Sequence, residues 1–366
     1  METTDFIYKN PERILPSGVS SWKSPSNIAL IKYWGKVNPQ IPKNPSLSLT
    51  LDACATYTKL EYYPTEEKGN SILFDVYFDS EKNDNFKPKI TIFFNRIKEY
   101  VPFIFDYKYV IRTRNTFPHS SGIASSASGM SALALCIMQI EKELNPLMTD
   151  EYFYKKASFL ARLGSGSAAR SVKGSVVIWG EHKEISESSD LYGVEFPKEI
   201  HPIFKNFHDT ILLVDKGQKQ VSSTLGHRLM ENHPYAENRF SQARRNLSEL
   251  NKILQKGAIK EFIKIVESEA LTLHAMMMTS NPYFILMQPN TLAIIHKIWN
   301  FRKETKMNIC FTLDAGANVH VLYPEKDKEQ INNFIVNELT PYCQNNQYIC
   351  DRIGEGSKPL ANDIIK

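Results

Sequence analysis

The hydrophobic pattern of this chain changes its period within residues 107–140. Aromatic and β-branched side chains fill 107–114, which predicts a strand, whereas apolar residues from Met130 to Ile140 recur at helical spacing. The Ser-, Gly- and Ala-rich stretch 115–132, NTFPHSSGIASSASGMSA, joins the two segments. A strand, a loop and a helix in this order gather backbone N–H groups at a helix N-terminus, an arrangement that binds phosphate. A solvent-exposed loop that caps an ordinary helix is an equally good interpretation.

The same periodicities divide the rest of the chain into strands and helices. We predict strands at 27–33, 46–51, 56–63, 71–78, 175–179 and 210–214, and a strand–turn–strand unit at 308–325. We predict helices at 152–163, 239–254, 259–278 and 290–302, followed by a helix and a strand in the tail. Residues 1 to about 20 have no period and predict a loose extension, and the charged segment 79–89 predicts a surface loop.

The length of the chain predicts two domains. A single core seldom serves 366 residues, and the polar, turn-rich segment 181–202 places the boundary near residue 200. The expected domains are therefore 1–200 and 201–366. The composition, 42% hydrophobic and 23% charged, is typical of globular proteins.

The distribution of apolar residues, cysteines and charge argues against several classes of protein. No apolar run reaches membrane-spanning length, and the N-terminus lacks the apolar core of a signal peptide. The five scattered cysteines suit reduced thiols in a cytoplasmic protein, and no Cys or His spacing is typical of zinc sites. The net charge of +4 comes without a basic stripe carrying aromatics, so we expect no nucleic-acid partner and an anionic small molecule instead.

Two lysines at the end of the first predicted strand are candidates for anion binding. Lys32 and Lys36 are separated by Tyr33, Trp34 and Gly35. A lysine in an apolar strand is usually an edge residue whose ammonium reaches water. Alternatively, the pair projects two cations into a cleft beside phosphates. The pattern alone leaves both interpretations open.

Two further turns carry candidate chemistry. The turn GSGSAARS combines the hydroxyls of Ser165 and Ser167 with the guanidinium fork of Arg170, so it is either a connector or a second anion site. Asp314 ends a strand at a glycine turn, where a carboxylate is often only a turn former. Arg228 is as well explained by an exposed surface position, and we interpret His274 as a packed, hydrogen-bonded histidine.

Several of these motifs resemble known families. The loop residues Pro118, Gly122, Ile123, Ser125, Ser126 and Ala127 are similar to the phosphate loop of the GHMP kinase superfamily. Narrower matches, SPSNIALIKYWGK at 24–36, ARLGSGSAARS at 161–171 and TLDAGAN at 312–318, resemble motifs of diphosphomevalonate decarboxylases. These motifs occur in the order that this family uses, and the resemblance covers roughly residues 24 to 323.

The resemblance implies a fold and a reaction. The fold is α/β (α+β), the two-lobed GHMP kinase fold, with the active site in the cleft between the lobes. The substrates are ATP, with Mg2+, and mevalonate 5-diphosphate, and the products are isopentenyl diphosphate, CO2, phosphate and ADP. The resemblance also implies a homodimer, and from the composition we expect a cytoplasmic protein with no membrane partner.

It further implies roles for individual residues. The catalytic residues would be Asp314, Lys32 and Arg170. The substrate would be bound by Tyr33, Lys36, Ser165, Ser167, Arg170, Arg228 and Asn27. ATP would be bound by Gly122, Ser125, Ser126 and Ala127, and Mg2+ by Ser126.

Departures from the family pattern leave these groups in place. Ala317 replaces a proline, Ala169 replaces a cysteine, and His227 stands where methionine is usual before Arg228; residues 119–121 also differ. They affect the fit of the substrate more than the class of reaction.

Three alternatives remain open. One is a mevalonate 3-kinase, although the kinase-only relatives lack the lysine or the aspartate, and Lys32 and Asp314 are both present here. Another is a phosphomevalonate decarboxylase that acts on the monophosphate. A third, from a different class, is a non-catalytic GHMP-fold sensor that binds ATP or a metabolite.

Overall fold

Two β-sheets and the helices packed against them form this structure, a computed structural model. It describes residues 1–9, 13–67, 71–118, 123–217 and 223–361. The strands are β1 Gly18–Ile31, β2 Lys36–Val37, β3 Ile41–Pro42, β4 Ser46–Pro64, β5 Phe74–Phe78, β6 Glu81–Lys82, β7 Tyr107–Asn115, β8 Val176–Trp179, β9 Val194–Glu195, β10 Phe207–Leu212, β11 Cys310–Thr312, β12 Val319–Pro324, β13 Tyr348–Arg352 and β14 Lys358–Pro359. The helices are α1 Lys87–Ile97, α2 Ser125–Leu144, α3 Asp150–Gly164, α4 Ser223–Arg228, α5 Ala236–Lys256, α6 Ile259–Met278, α7 Pro289–Thr305 and α8 Lys328–Phe334. None of the helices in the described ranges has the length and apolar character needed to cross a membrane.

The larger sheet has the strand order β14-β1-β4-β7-β5-β6, and β8 pairs with β4 and with β9. Its pairings are antiparallel except for the parallel pair of β5 and β7. The smaller sheet has the antiparallel order β11-β12-β10-β13. The last strand, β14, returns to the larger sheet, where Lys358 lies opposite Lys23. Both ends of the chain therefore contribute to one sheet.

Apolar clusters hold the layers together. The helix α2 is apolar almost all round, from Ala127 to Leu144, as a helix covered by a sheet and a second helix should be. A second cluster joins the two sheets, because it includes Ile28 of β1, Ile211 of β10 and Phe262 of α6. The two sheets are therefore joined by a shared apolar cluster.

The long periodic segments follow the sequence predictions. The strand β7 and the helices α2, α3, α5, α6 and α7 confirm the predicted elements within a few residues. The two strands predicted at 46–51 and 56–63 are a single strand, β4. Asp52 and Ala53 lie between the two predicted segments, and their backbone N–H groups donate to Asp351 Oδ1 while the strand continues.

The predictions for two irregular segments were wrong. The N-terminus is anchored rather than loose, since Phe6 is fully buried and stacks on Phe159 with ring centroids 4.4 Å apart. The segment 79–89 is not a loop throughout, because it contains β6, a 3-10 turn at Asp84–Phe86 and the start of α1. A single buried aromatic residue, such as Phe6, and a helix whose first turn is charged leave no hydrophobic periodicity in the sequence. Neither feature could therefore be predicted from the hydrophobic pattern.

Candidate active site

A cavity of about 650 Å³ lies where the end of β1, the start of α2 and the turn after β11 meet. Its lining includes the candidate residues Asn27, Lys32, Tyr33, Lys36, Ser125, Ser126, Ala127, Ser165, Ser167, Arg170 and Asp314. Gly122 lies outside the described residues. The fold therefore brings four motifs together that are far apart in sequence.

Lys32 and Asp314 form an ion pair inside this cavity. The distance from Lys32 Nζ to Asp314 Oδ1 is 3.1 Å, although 282 positions separate the two residues. Lys32 is 1% exposed, whereas the Asp314 side chain is 27% exposed and faces the cavity. Burial lowers the pKa of Lys32, and the charge of Asp314 opposes that effect. A buried cation and a partly solvated carboxylate thus share one site.

The backbone of Lys32 is held by the second half of the chain. Its N–H donates to Glu269 Oε2 at 2.8 Å. Glu269 is fully buried and accepts two bonds from Arg239, at 2.8 and 2.5 Å. The amide of Asn44 donates to the Lys32 carbonyl at 3.0 Å. The helices α5 and α6 therefore position a lysine that directly follows β1.

The backbone of Asp314 has its own support. His274 Nε2 lies 3.1 Å from the Asp314 carbonyl oxygen. Burial lowers the pKa of His274 to about 4, so the ring is neutral near pH 7. A carbonyl can only accept, so Nε2 carries the proton and donates it. The interpretation of His274 as a packed, hydrogen-bonded histidine is confirmed.

Arg170 is fixed by two serines of β4. Its Nε donates to Ser48 Oγ at 2.6 Å, and its Nη1 donates to Ser46 Oγ at 2.7 Å. The guanidinium carbon lies 5.6 Å from the centre of the Trp179 ring. Burial lowers the pKa of Arg170 to about 10, which leaves the group charged at neutral pH. The site thus has a rigid, planar cation whose partners are neutral hydroxyls.

Tyr33 and Lys36 supply different donors to the cavity. The Tyr33 hydroxyl is buried and has no hydrogen-bond partner among the described residues. Burial raises the pKa of Tyr33, so the phenol keeps its proton. Lys36 Nζ donates to Gln40 Oε1 at 2.9 Å, and burial followed by repulsion from Arg96 lowers its pKa. Both groups remain available to an anion.

The start of α2 forms the other end of the cavity. Ala124 has φ 47° and ψ 38°, a left-handed conformation that turns the chain into the helix at Ser125. The first N–H groups of a helix have no acceptor within it, so they favour an anion. Ser126 Oγ accepts from Lys89 Nζ at 2.5 Å. Lys89 belongs to α1, within the segment expected to be a surface loop.

Two predicted substrate residues are placed differently from the rest. Arg228 is exposed and is not among the lining residues. Asn27 lines the cavity, but its amide donates to Ser171 Oγ at 2.8 Å and to the Ser167 carbonyl at 3.2 Å. Asn27 therefore holds the turn that carries Ser167 and Arg170.

Sequence reasoning missed several residues around the site. Lys89, Ser46, Ser48, Glu269 and Arg239 contact the candidate groups directly. Charged residues on amphipathic helices usually face solvent, and serines in a strand are common, so no sequence signal marked them. Within the described ranges, no three His, Cys, Asp or Glu side chains are arranged to hold a metal ion.

Comparison with known proteins places the chain in a family. The model of the diphosphomevalonate decarboxylase-like N-terminal domain matches residues 24–190, and that of the mevalonate 5-diphosphate decarboxylase C-terminal domain matches 210–363. The diphosphomevalonate decarboxylase of Ganoderma lucidum is 30% identical over 335 residues, covering 86% of this chain and 80% of that protein. The chain belongs to the diphosphomevalonate decarboxylase family.

Solved structures in the diphosphomevalonate decarboxylase family have the same fold. The mevalonate diphosphate decarboxylase of Staphylococcus aureus superposes with a TM-score of 0.79 at 27% identity, covering 94% of this chain and 98% of that one. A structure described as MDDEF in complex with MVAPP, AMPPCP and magnesium gives a TM-score of 0.80 at 26% identity, with coverage of 94% and 99%. The α/β fold implied by the resemblance is confirmed.

Proposed function

We propose that this protein catalyses the ATP-dependent decarboxylation of mevalonate 5-diphosphate to isopentenyl diphosphate, CO2, phosphate and ADP. The observation that carries the proposal is the 3.1 Å contact of Lys32 with Asp314, inside a cavity that Arg170 and the start of α2 also line. Membership of the diphosphomevalonate decarboxylase family supports it. A solved neighbour in complex with MVAPP, AMPPCP and magnesium supports it further.

The reaction requires a tertiary hydroxyl on C3 of the substrate to become a leaving group. The hydroxyl oxygen attacks the γ-phosphoryl group of ATP and loses its proton, which leaves ADP and a phosphate ester. The C3–O bond then breaks, and phosphate takes the electron pair. The electrons of the bond between C2 and the carboxylate carbon form the C2–C3 double bond as CO2 departs.

Asp314 and Lys32 would act on the hydroxyl. The Asp314 carboxylate is open to the cavity and would orient the hydroxyl or accept its proton. Lys32 would keep that carboxylate ionised and offset negative charge on the reacting oxygen. A cation buried beside the carboxylate is well suited to this, because charges interact strongly away from water.

Arg170 would bind the substrate carboxylate. A guanidinium can donate two parallel hydrogen bonds to a carboxylate, which fixes both position and plane. Ser46 and Ser48 already hold the group, so little order is lost when the substrate binds. A fixed carboxylate keeps the bond that breaks aligned with the developing charge on C3.

The start of α2 would hold the phosphates of ATP. Ser125, Ser126 and Ala127 line the cavity there, and Gly122 would complete the loop. Mg2+ takes oxygen ligands, mainly phosphate oxygens and water in nucleotide sites, and the Ser126 hydroxyl at the cavity wall would supply one protein oxygen. When bound, Mg2+ neutralises phosphate charge during transfer.

The substrate diphosphate would be bound by a second group of donors in the same cavity. Lys36 supplies a cation and Tyr33 an unpaired hydroxyl, while Ser165 and Ser167 line the same part of the turn before Arg170. Asn27 would keep that turn in place. These groups bind charge at the end of the substrate that does not react.

We also propose the organisation of the whole protein. Residues 1–200 and 201–366 would form the two lobes, with β14 of the second segment added to the larger sheet of the first, and the protein would be a cytoplasmic homodimer. The five cysteines are free thiols, as expected in a reducing compartment. Light scattering should give twice the 42.0 kDa mass of the chain, and the mass of one chain would contradict the dimer.

The proposed reaction is tested by measuring CO2 and ADP from the same sample. Mevalonate 5-diphosphate should yield equimolar CO2 and ADP. ADP without CO2 would identify a mevalonate 3-kinase, and preferential turnover of mevalonate 5-phosphate would identify a phosphomevalonate decarboxylase. ATP binding with no turnover of either substrate would identify a sensor.

A further inference from the structure

His227 lines the active-site cavity, and the mechanism above gives it no role. It lies in α4 and is 7% exposed. Its ring centroid is 4.2 Å from that of Tyr33 and 4.8 Å from that of Trp34. The imidazole is therefore packed against the Lys32–Lys36 loop. A methionine at this position could fill the same space but could not donate a hydrogen bond.

One ring nitrogen of His227 is committed to the backbone. The N–H of Gly35 donates to Nδ1 at 3.0 Å. An atom that accepts a hydrogen bond carries no proton, so the neutral ring must carry its proton on Nε2. Gly35 has φ 99°, a conformation that side-chain-bearing residues rarely adopt, and this fixes the direction of its N–H.

The surroundings of His227 keep the ring neutral. Burial, together with the positive charges of Lys36 and Arg170, lowers the pKa of His227 to about 3. The Nε2–H donor makes no hydrogen bond to any described residue. Because the ring lines the cavity, an acceptor atom of a bound ligand can meet this donor.

Three other groups near His227 indicate what that ligand is. The Tyr33 hydroxyl is buried and unpaired among the described residues. The positive charges of Lys36 and Arg170 both act on the ring, and both residues line the same cavity. Neutral donors combined with cations are suited to an oxygen anion with several oxygens, such as a phosphoryl group.

We propose that Nε2–H of His227 donates a hydrogen bond to a phosphoryl oxygen of the substrate's diphosphate, beside Tyr33 and Lys36. This inference rests on the proposed function, because it assigns a further substrate-binding residue to that site. His227 adds a directed donor without adding charge, in contrast to a protonated histidine or a third lysine.

Two variants separate the donor from the packing. His227→Met removes both nitrogens, whereas His227→Gln keeps an N–H donor near the position of Nε2. Both variants lose Nδ1, the atom that accepts from the Gly35 N–H, so they are matched in that respect. Melting temperatures and circular dichroism of the two proteins establish that both are folded before binding is measured.

Calorimetric titration with mevalonate 5-diphosphate, without ATP, gives the decisive comparison. Loss of a hydrogen bond to a charged group weakens binding about tenfold or more, so His227→Met should have a dissociation constant raised by that factor. His227→Gln should stay within about threefold of the wild type, because it retains the donor. Binding of ATP alone should change by less than about twofold in both variants, since the donor contacts the other ligand.

The pH dependence provides a second readout. The ratio of the His227→Met and wild-type dissociation constants should be constant from pH 5.5 to 8.5, because the ring is neutral throughout. A ratio that falls as pH rises through the usual range for histidine would mean that the ring binds as a cation, and it would overturn the inference.

The remaining outcomes also decide the question. Equal binding of mevalonate 5-diphosphate by His227→Met and the wild type would overturn the inference and leave the proposed function intact. A loss of ATP binding in His227→Met with unchanged substrate binding would place the donor on ATP and overturn it as well. If the wild type neither binds nor converts mevalonate 5-diphosphate, both the inference and the proposed function fail.

Discussion

Arg170 contributes both a positive charge and a planar geometry to the site. It is held by Ser46 and Ser48 and lies over Trp179, and these contacts use its planar fork as well as its charge. A lysine could supply the charge but not the geometry. A positive charge alone is therefore not enough at this position, and the planar guanidinium is needed as well.

We expect Arg170→Lys to reduce kcat about a hundredfold or more, because the carboxylate is no longer held in one plane. ATP binding should be retained. Steady-state kinetics with mevalonate 5-diphosphate would measure the loss, and activity within about threefold of the wild type would contradict the assigned role.

Buried neutral histidines couple stability to pH. The pKa of His274 is lowered by burial to about 4, whereas a histidine in an unfolded chain titrates at about 6.5. Between these values the unfolded chain binds more protons than the folded one, so the free energy of unfolding falls as pH falls. The slope for one such group approaches about 1.4 kcal/mol per pH unit.

The variant His274→Gln removes the titrating group and keeps a donor for the Asp314 carbonyl. Its free energy of unfolding should therefore fall less steeply than that of the wild type between pH 6.5 and pH 4. Urea titrations at several pH values would measure the difference. Parallel slopes for the two proteins would contradict a buried neutral His274.

At the scale of elements, the helices α5 and α6 hold the backbone of Lys32 in place. Glu269 accepts from the Lys32 N–H and is paired with Arg239, so a contact between two helices determines where β1 ends. The same helix α6 has a similar pair, Glu267 with Arg302, and neither of these residues lines the cavity. The two pairs allow structural and functional effects to be separated.

We predict that Glu269→Gln and Glu267→Gln both lower the melting temperature, because each weakens a pair with arginine. Only Glu269→Gln should also reduce kcat, by about tenfold or more, since the Lys32 backbone shifts relative to Asp314. Thermal melts and kinetics on both variants would test this. Equal kcat values for the two folded variants would show that Glu269 has no positioning role.

The helix α1 contributes a residue to the phosphate end of the site. Lys89 donates to Ser126 Oγ, whereas Lys87, two residues earlier, pairs with Asp84 and Asp75 outside the cavity. We predict that Lys89→Ala raises KM for ATP about threefold to tenfold, a modest effect because the side chain is exposed. Lys87→Ala is the matched control, and an equal rise in KM for that variant would contradict a specific role.

The elements around the site could be predicted from the sequence, but some of their buried polar contacts could not. The helix α2 and the strand β7 have long, regular patterns, and both were predictable. The motif residues Lys32, Arg170 and Asp314 were found through their resemblance to a family. Glu269 could not be found this way, because a glutamate on an amphipathic helix is identified as buried only when its partner Arg239 is placed beside it.

At the scale of the whole molecule, the active site depends on the junction of the two sheets. Lys32 follows β1 of the larger sheet, and Asp314 follows β11 of the smaller one. A continuous apolar cluster that includes Ile28 and Ile211 joins these sheets. The 3.1 Å contact between lysine and aspartate is therefore a property of the complete fold.

The rate of CO2 release by Asp314→Asn tests the account most directly. Asparagine has nearly the same shape but cannot accept the hydroxyl proton or balance the charge of Lys32. We predict that CO2 and ADP formation fall together, by about 10²- to 10⁴-fold, while mevalonate 5-diphosphate still binds. CO2 release within about threefold of the wild type would contradict the role of the Lys32–Asp314 pair in this reaction.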